Sequence, residues 1–256
     1  MATTTTTTSS SSSPPSSTLH LHTYFRSSCS ARLRIALRLK RLPHTTTPVH
    51  LLRREQTLPA YKSLNPSGTV PTLTHTIVNH SPPTAQPPKT VTITQSTAAL
   101  EYLDEAFPDA GPALFSGGEE GDAESRAHVR TLVAMVACDT QPLTNSAAIK
   151  AVEGLGGDGR EWARAWTVRG LDAVEAYLGR TMVGGEEGGA RWCVGRGVSA
   201  ADVCLVPAVW AAQRWECDLE RWPRIMSVFR HMETLEEVKA AHWRRQEDTP
   251  EEFREA

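Results

Sequence analysis

Apolar and polar residues first alternate regularly at Leu19. Leu19, Leu21 and Thr23 interleave with His20, His22 and Tyr24, the period of two that predicts a strand. From about Cys29 the period lengthens: Leu33, Ala36 and Leu37 recur at three and four, which predicts a helix. Ser27 to Ser30 therefore lie at a strand-to-helix turn. Farther along, the turn-like residues 44–47 lead to a second candidate strand at Val49 to Leu52, and Leu58 to Tyr61 read as a short turn of helix. Asn65-Pro66 and Ser67-Gly68 break the chain, and Val70-Pro71 opens a strand where the missing proline N–H is tolerated only at an edge or a first position. Residues 75–90 are proline-rich and predict an exposed loop. Thr90 to Thr94 alternate as a strand, and Ser96 is a candidate cap for an apolar helix over Ala98 to Leu103.

Beyond Phe107 the pattern changes character. Residues 107–121 are rich in Pro, Gly and Asp without periodicity, which suits a linker. Residues 123–140 and 160–178 then carry apolar positions at helical spacing, and the glycine tracts at 154–159 and 184–189 predict flexible breaks. Ser199 and Asp202 stand at cap and third position ahead of an apolar helix over Val203 to Ala211, a capping box that belongs in the core of the second half. The pattern divides the chain into a Ser/Thr-rich tail (1–18), an α/β domain (19–107), a linker (108–121) and an all-α domain (122–256). The tail cannot bury enough apolar surface to offset its ordering entropy, so disorder is expected there.

Composition narrows the chemistry. A net charge of −2 across 256 residues gives no field for nucleic acid or a membrane surface. The basic residues between Arg32 and Arg41 are expected on a solvated helix face. Five cysteines without a C-x-x-C pair indicate a reducing, cytoplasmic setting, and nine histidines without metal-ligand spacing give no reason to expect a metal. The first Arg or Lys is Arg26, so a mitochondrial presequence is not expected.

The concentrated chemistry is at Ser27-Ser28-Cys29-Ser30. Free N–H groups and the positive helix end favour an anion there, and a hydroxyl can add a hydrogen bond. A thiolate is such an anion. Gln95-Ser96, at the start of another helix, offers the same features to a carboxylate.

Ser27-Ser28-Cys29-Ser30 followed by Arg32, Arg34, Ile35, Ala36 and Leu37 resembles the amino-terminal signature of zeta-class glutathione transferases, the family that includes maleylacetoacetate isomerase. The family usually has Trp where this chain has Ala31. The resemblance runs from about Leu19 to Pro250 and takes in Val-Pro-x-Leu at Val70, similar to the cis-proline turn of thioredoxin-like folds; Gln95-Ser96; Gln141-Pro142-Leu143-Thr144-Asn145; and the Ser199/Asp202 box. It implies a thioredoxin-like amino-terminal domain, an all-α carboxyl-terminal domain and glutathione as cofactor. The implied glutathione-binding residues are Ser27, Ser28, Cys29, Ser30, Ala31, Arg32, Gln56, Val70, Gln95, Ser96, Gln141 and Asn145. Within that set Ser27 activates the thiol, with Ser28 the neighbouring alternative and Cys29 an auxiliary, while Arg32 and Arg214 receive an anionic substrate. The implied reaction is isomerisation of maleylacetoacetate to fumarylacetoacetate in Phe/Tyr breakdown, by a homodimer. Two other functions share these residues: transfer of glutathione to small α-haloacids, and a non-catalytic scaffold of the same fold.

Overall fold

The computed structural model describes residues 16–78, 87–116, 121–182 and 191–255. The first strand, β1 (Ser16–Thr23), runs into α1 (Ser28–Leu39); β2 (His44–Pro48), a short α2 (Pro59–Leu64), β3 (Thr72–Val78), β4 (Lys89–Ile93) and α3 (Ser96–Ala106) complete the α/β half. The sheet order is β2-β1-β3-β4, with β1 parallel to β2 and antiparallel to β3, and β3 antiparallel to β4. Leu19, Leu21, Leu33, Ile35, Leu37 and Leu73 form its apolar filling, all at most 3% exposed.

Several sequence expectations shift here. The second strand is His44–Pro48, while Leu51–Arg53 form a 3₁₀ turn. Its Thr45-Thr46-Thr47 core is exposed, so an edge strand held by backbone pairing and β-branched propensity carries no apolar alternation to read. β1 begins inside the tail expected to be disordered, because Ser16 to Thr18 pair with Val78 to Thr76 of β3. The same hairpin extends into the expected loop: His75 is 5% exposed, Ile77 pairs with Lys89, and only residues 79–86 of that segment lie outside the described ones. The glycine tract at 184–189 and most of the tail also lie outside them.

The expected solvated face of α1 is instead buried. Arg32 (2% exposed), Arg34 (2%) and Lys40 (1%) all point inward, while Arg38 and Arg41 are exposed. Lys40 Nζ donates to Asp104 Oδ1 at 3.0 Å and to the Pro112 carbonyl at 3.1 Å, tying α1 to α3 and to the segment that leaves the α/β half. Burial of Lys40 and Arg34 is tolerated because each finds acceptors outside its own helix.

The helical half comprises α4 (Ala123–Ala134), α5 (Ser146–Gly154), α6 (Gly159–Thr181), α7 (Ala200–Arg214), α8 (Pro223–Met232) and α9 (Glu236–Ala241). The helix expected to run to residue 140 widens after Ala134 into a π turn over Met135–Thr140 and tightens to 3₁₀ over Gln141–Thr144, a distortion common near functional sites. α6 lies against this turn at Gly170, where a Cβ would stand 2.1 Å from Thr140 Oγ1. The capping box is formed: fully buried Asp202 accepts from Ser199 N (2.8 Å), Ser199 Oγ (2.7 Å) and Cys193 N (2.7 Å). It starts α7, whose residues from Ala200 to Pro207 are all buried and pack against α1.

Candidate active site

A tight turn after β1 delivers the serine-rich segment. Ser27 N donates to the Tyr24 carbonyl at 3.0 Å, and Ser27 then caps α1, its Oγ accepting from Ser30 N at 3.1 Å. Used as an acceptor, that oxygen keeps its own hydroxyl hydrogen for a ligand. Ser28 Oγ donates to the Pro207 carbonyl of α7 at 3.4 Å. Both serines line a narrow cleft with about 20 Å³ of space for water-sized groups, walled by Phe25, Arg26 and Ala31 on one side and by Pro207, Trp210, Arg214 and Trp243 on the other. Ala31 thus faces aromatic surface contributed by α7 and by the carboxyl-terminal segment.

Three arginines line this cleft, Arg26, Arg34 and Arg214, of which Arg34 is taken up by backbone carbonyls. Arg214, expected from the sequence, stacks its guanidinium 4.5 Å from the Trp215 ring centre, and Arg26, which the sequence reading passed over, stacks 5.7 Å from that of Phe25. Among the described residues neither has a carboxylate partner. Arg214 is largely accessible along its length, yet the protein crowded around its head group, and the neighbouring Arg26, pull its pKa down to about 10. It remains a cation at neutral pH. An unpaired pair of cations in a cleft is a receptor for an anion.

Arg32 does not enter the cleft. Its Nη1 donates to Ser96 Oγ at 3.0 Å and approaches Cys29 Sγ at 3.9 Å, and its Nε is buried without a partner. The cation lies between the first turns of α1 and α3 and has no carboxylate partner among the described residues. Ser96 is the first residue of α3, not its cap; Gln95 occupies the cap position with its side chain exposed and making no capping bond.

The remaining candidates divide. Val70, preceding Pro71 through a cis peptide bond as expected, packs with Tyr24, Phe25 and Tyr61 beside the turn. Gln56 Oε1 is buried without a partner in a 3₁₀ turn, and the Gln56 carbonyl faces Gly68, whose φ of +59° favours glycine and where an added Cβ would stand 3.0 Å from that oxygen. Gln141 and Asn145 are not among the residues lining the cleft. Asn145 Oδ1 caps α5 by accepting from Ala147 N and Ala148 N, both at 2.9 Å. Cys29 is half-buried and likewise outside the lining; the five cysteines are all unpaired, and burial pushes the Cys204 thiol up to about 11.

Behind the turn sits Arg34, expected on a solvated face and found buried. Arg34 donates to the Tyr24 carbonyl (3.2 Å), the Phe25 carbonyl (3.0 Å), Thr23 Oγ1 (3.1 Å) and the Ala241 carbonyl (3.2 Å). Burial holds its pKa down to about 9, with Asp248 acting in the opposite direction. Arginine's planar fork suits several carbonyls at once, so this side chain fixes the backbone that leads into Ser27.

Residues 26–106 match the family described as the glutathione S-transferase amino-terminal domain. The chain is 48% identical over 237 residues to a probable glutathione S-transferase of Coccidioides immitis, covering 91% of this chain and 96% of that one. It is 47% identical over 239 residues to the maleylacetoacetate isomerase maiA of Aspergillus fumigatus, with 93% and 96% covered. A crystal structure of maleylacetoacetate isomerase from Anaeromyxobacter dehalogenans, with glutathione in its active site, superposes with a TM-score of 0.76 at 35% identity, over 92% of this chain and 99% of that one. With its thioredoxin-like sheet, helical second half and serine turn, the chain belongs to the zeta class of the glutathione transferases, the family of the maleylacetoacetate isomerases.

Proposed function

We propose that this protein catalyses the glutathione-dependent cis-to-trans isomerisation of maleylacetoacetate. One observation carries the reading most strongly: Ser27 caps α1 at the floor of a cleft whose rim holds two unpaired arginines. This arrangement favours negative charge, as a thiolate at the α1 amino terminus and as substrate carboxylates at the arginines.

The residues fit glutathione. Arg32, buried with an unpartnered Nε and bonded to Ser96, is suited to a carboxylate at the start of α3, where Gln95 has a free side chain. Bound there, glutathione supplies a thiolate that adds to the double bond and leaves again after rotation. Ser27 donates its remaining hydroxyl hydrogen to that sulfur, and the α1 amino terminus favours its negative charge. Ser28 holds the α1 turn against α7 through the Pro207 carbonyl. Arg26 and Arg214 orient the substrate carboxylates and stabilise charge that develops on the carbonyl side. Gln56 and Val70 offer polar groups to the peptide portion of glutathione, and Cys29 plays an auxiliary part. The reading extends to a homodimer in the cytoplasm; among the described residues no helix is long and apolar enough to cross a membrane.

The test is turnover of maleylacetoacetate by purified protein with and without glutathione. Activity that requires glutathione without consuming it supports the reading; full activity in its absence contradicts it. Sedimentation at micromolar concentration tests the dimer.

A further inference from the structure

The segment after α9 has little regular structure, yet its own side chains fold it firmly. Gln246 Nε2 donates to the carbonyls of Ala240 (3.0 Å) and His242 (2.7 Å), and Thr249, 2% exposed, donates Oγ1 to the Trp243 carbonyl at 2.6 Å. Two side chains of this segment face the catalytic half. Trp243 lines the cleft, and Asp248 Oδ2 accepts the Phe25 amide at 2.8 Å across 223 residues of sequence.

Phe25 is 3% exposed, and its amide takes that carboxylate as its hydrogen-bond partner. The same peptide units are held from the other side by Arg34, whose Nη1 and Nη2 take the Tyr24 and Phe25 carbonyls. Tyr24 O also accepts the Ser27 amide. The backbone entering Ser27 is thus gripped between a buried cation from α1 and an anion from the carboxyl-terminal segment.

We propose that Asp248 is a positioning residue for thiolate activation: by holding the Phe25 amide opposite Arg34, it fixes the turn that presents the Ser27 hydroxyl to the cleft. This rests on the reading of Ser27 as the donor to glutathione sulfur. Asp248 also supplies negative charge beside Arg34, which is buried with only neutral acceptors otherwise. Small displacements of a preorganised donor are costly to catalysis, so a residue that touches no substrate can control turnover.

The test uses the full chain with Asp248→Ala, Asp248→Asn and Asp248→Glu, measuring kcat, KM, thermal stability and the ultraviolet titration of the bound glutathione thiolate. Asp248→Ala is expected to lower kcat about tenfold or more and to raise the pH at which bound thiol ionises, with a smaller change in KM. Asp248→Asn keeps an acceptor at the same reach and is expected to recover kcat to within about threefold of wild type. Asp248→Glu keeps the charge but misplaces the acceptor, and should resemble the alanine variant in its thiol titration. If Asp248→Ala does not fold, the Asn and Glu variants decide: wild-type titration and kcat in both overturn the proposal. So does an alanine variant that melts earlier but titrates and turns over normally. A wild-type protein that ionises bound thiol no better than free glutathione would instead defeat the functional reading itself, leaving a separate signature.

Discussion

Arg32 Nη1 donates to Ser96 Oγ at 3.0 Å, joining the first turn of α1 to the first turn of α3 through a cation with no carboxylate partner of its own among the described residues. A buried, uncompensated guanidinium is costly in the free protein and favours an arriving carboxylate. Replacing Ser96 by Ala removes a hydroxyl from this junction. Glutathione binding, measured by calorimetry, should weaken by about 1.5–3 kcal/mol if that hydroxyl meets a carboxylate. Unchanged affinity would leave Ser96 as a tie between two helices and nothing more.

At the rim, Arg26 and Arg214 are expected to act on substrate rather than on glutathione. Arg214→Ala should raise the KM for the maleyl diacid by about tenfold or more, the scale of one lost charge-assisted hydrogen bond, with glutathione affinity within about twofold of wild type. Arg26→Ala should act in the same direction on KM. Equal losses for both ligands would contradict a division of labour between the two ends of the cleft.

Asp202 anchors the helix that forms one wall. Asp202→Ala would strand two buried amides, Cys193 N and Ser199 N, and should cost about 2–5 kcal/mol in chemical denaturation. Asp202→Asn keeps an acceptor and should cost less. A variant of wild-type stability would show that the box is dispensable.

Acid should loosen the carboxyl-terminal segment through His242. Burial lowers its pKa from 6.5 to about 4, and its Nδ1, 3.5 Å from Glu255, already accepts the Arg244 amide at 3.3 Å, which requires the neutral ring. Between pH 6.5 and 4 the unfolded chain therefore binds a proton that the native one does not. Stability falls as pH falls through that window, with a slope of up to about 1.4 kcal/mol per unit from this group. Thermal melts of wild type and His242→Asn should diverge in this range and agree in shape above it; parallel curves throughout would remove His242 from the account.

The site was legible in the sequence wherever its signal was local. Ser27 at the start of α1, the Ser199/Asp202 box and the Val70-Pro71 turn follow from caps, breakers and periods contained within a few residues. Arg34 and Lys40 depart from the expected solvated face because their acceptors lie outside the helix: for Arg34 the turn before α1 and Ala241, 207 residues away, and for Lys40 Asp104 and Pro112. β2 was displaced because an exposed edge strand of threonines has no apolar face to register. Asp248 and Trp243 carry no pattern at all; only the fold brings them to Phe25 and the cleft.

In the proposed mechanism the Ser27 hydroxyl activates the thiol. The most direct measurement compares kcat for maleylacetoacetate isomerisation in Ser27→Ala, Ser28→Ala and Cys29→Ala, each saturated with glutathione. Ser27→Ala is expected to lose roughly 10²-fold or more, the cost of deleting one preorganised donor, with Ser28→Ala and Cys29→Ala losing clearly less. Loss of activity in Cys29→Ala while both serine variants turn over normally would contradict the account, because it would hand the chemistry to a protein thiol.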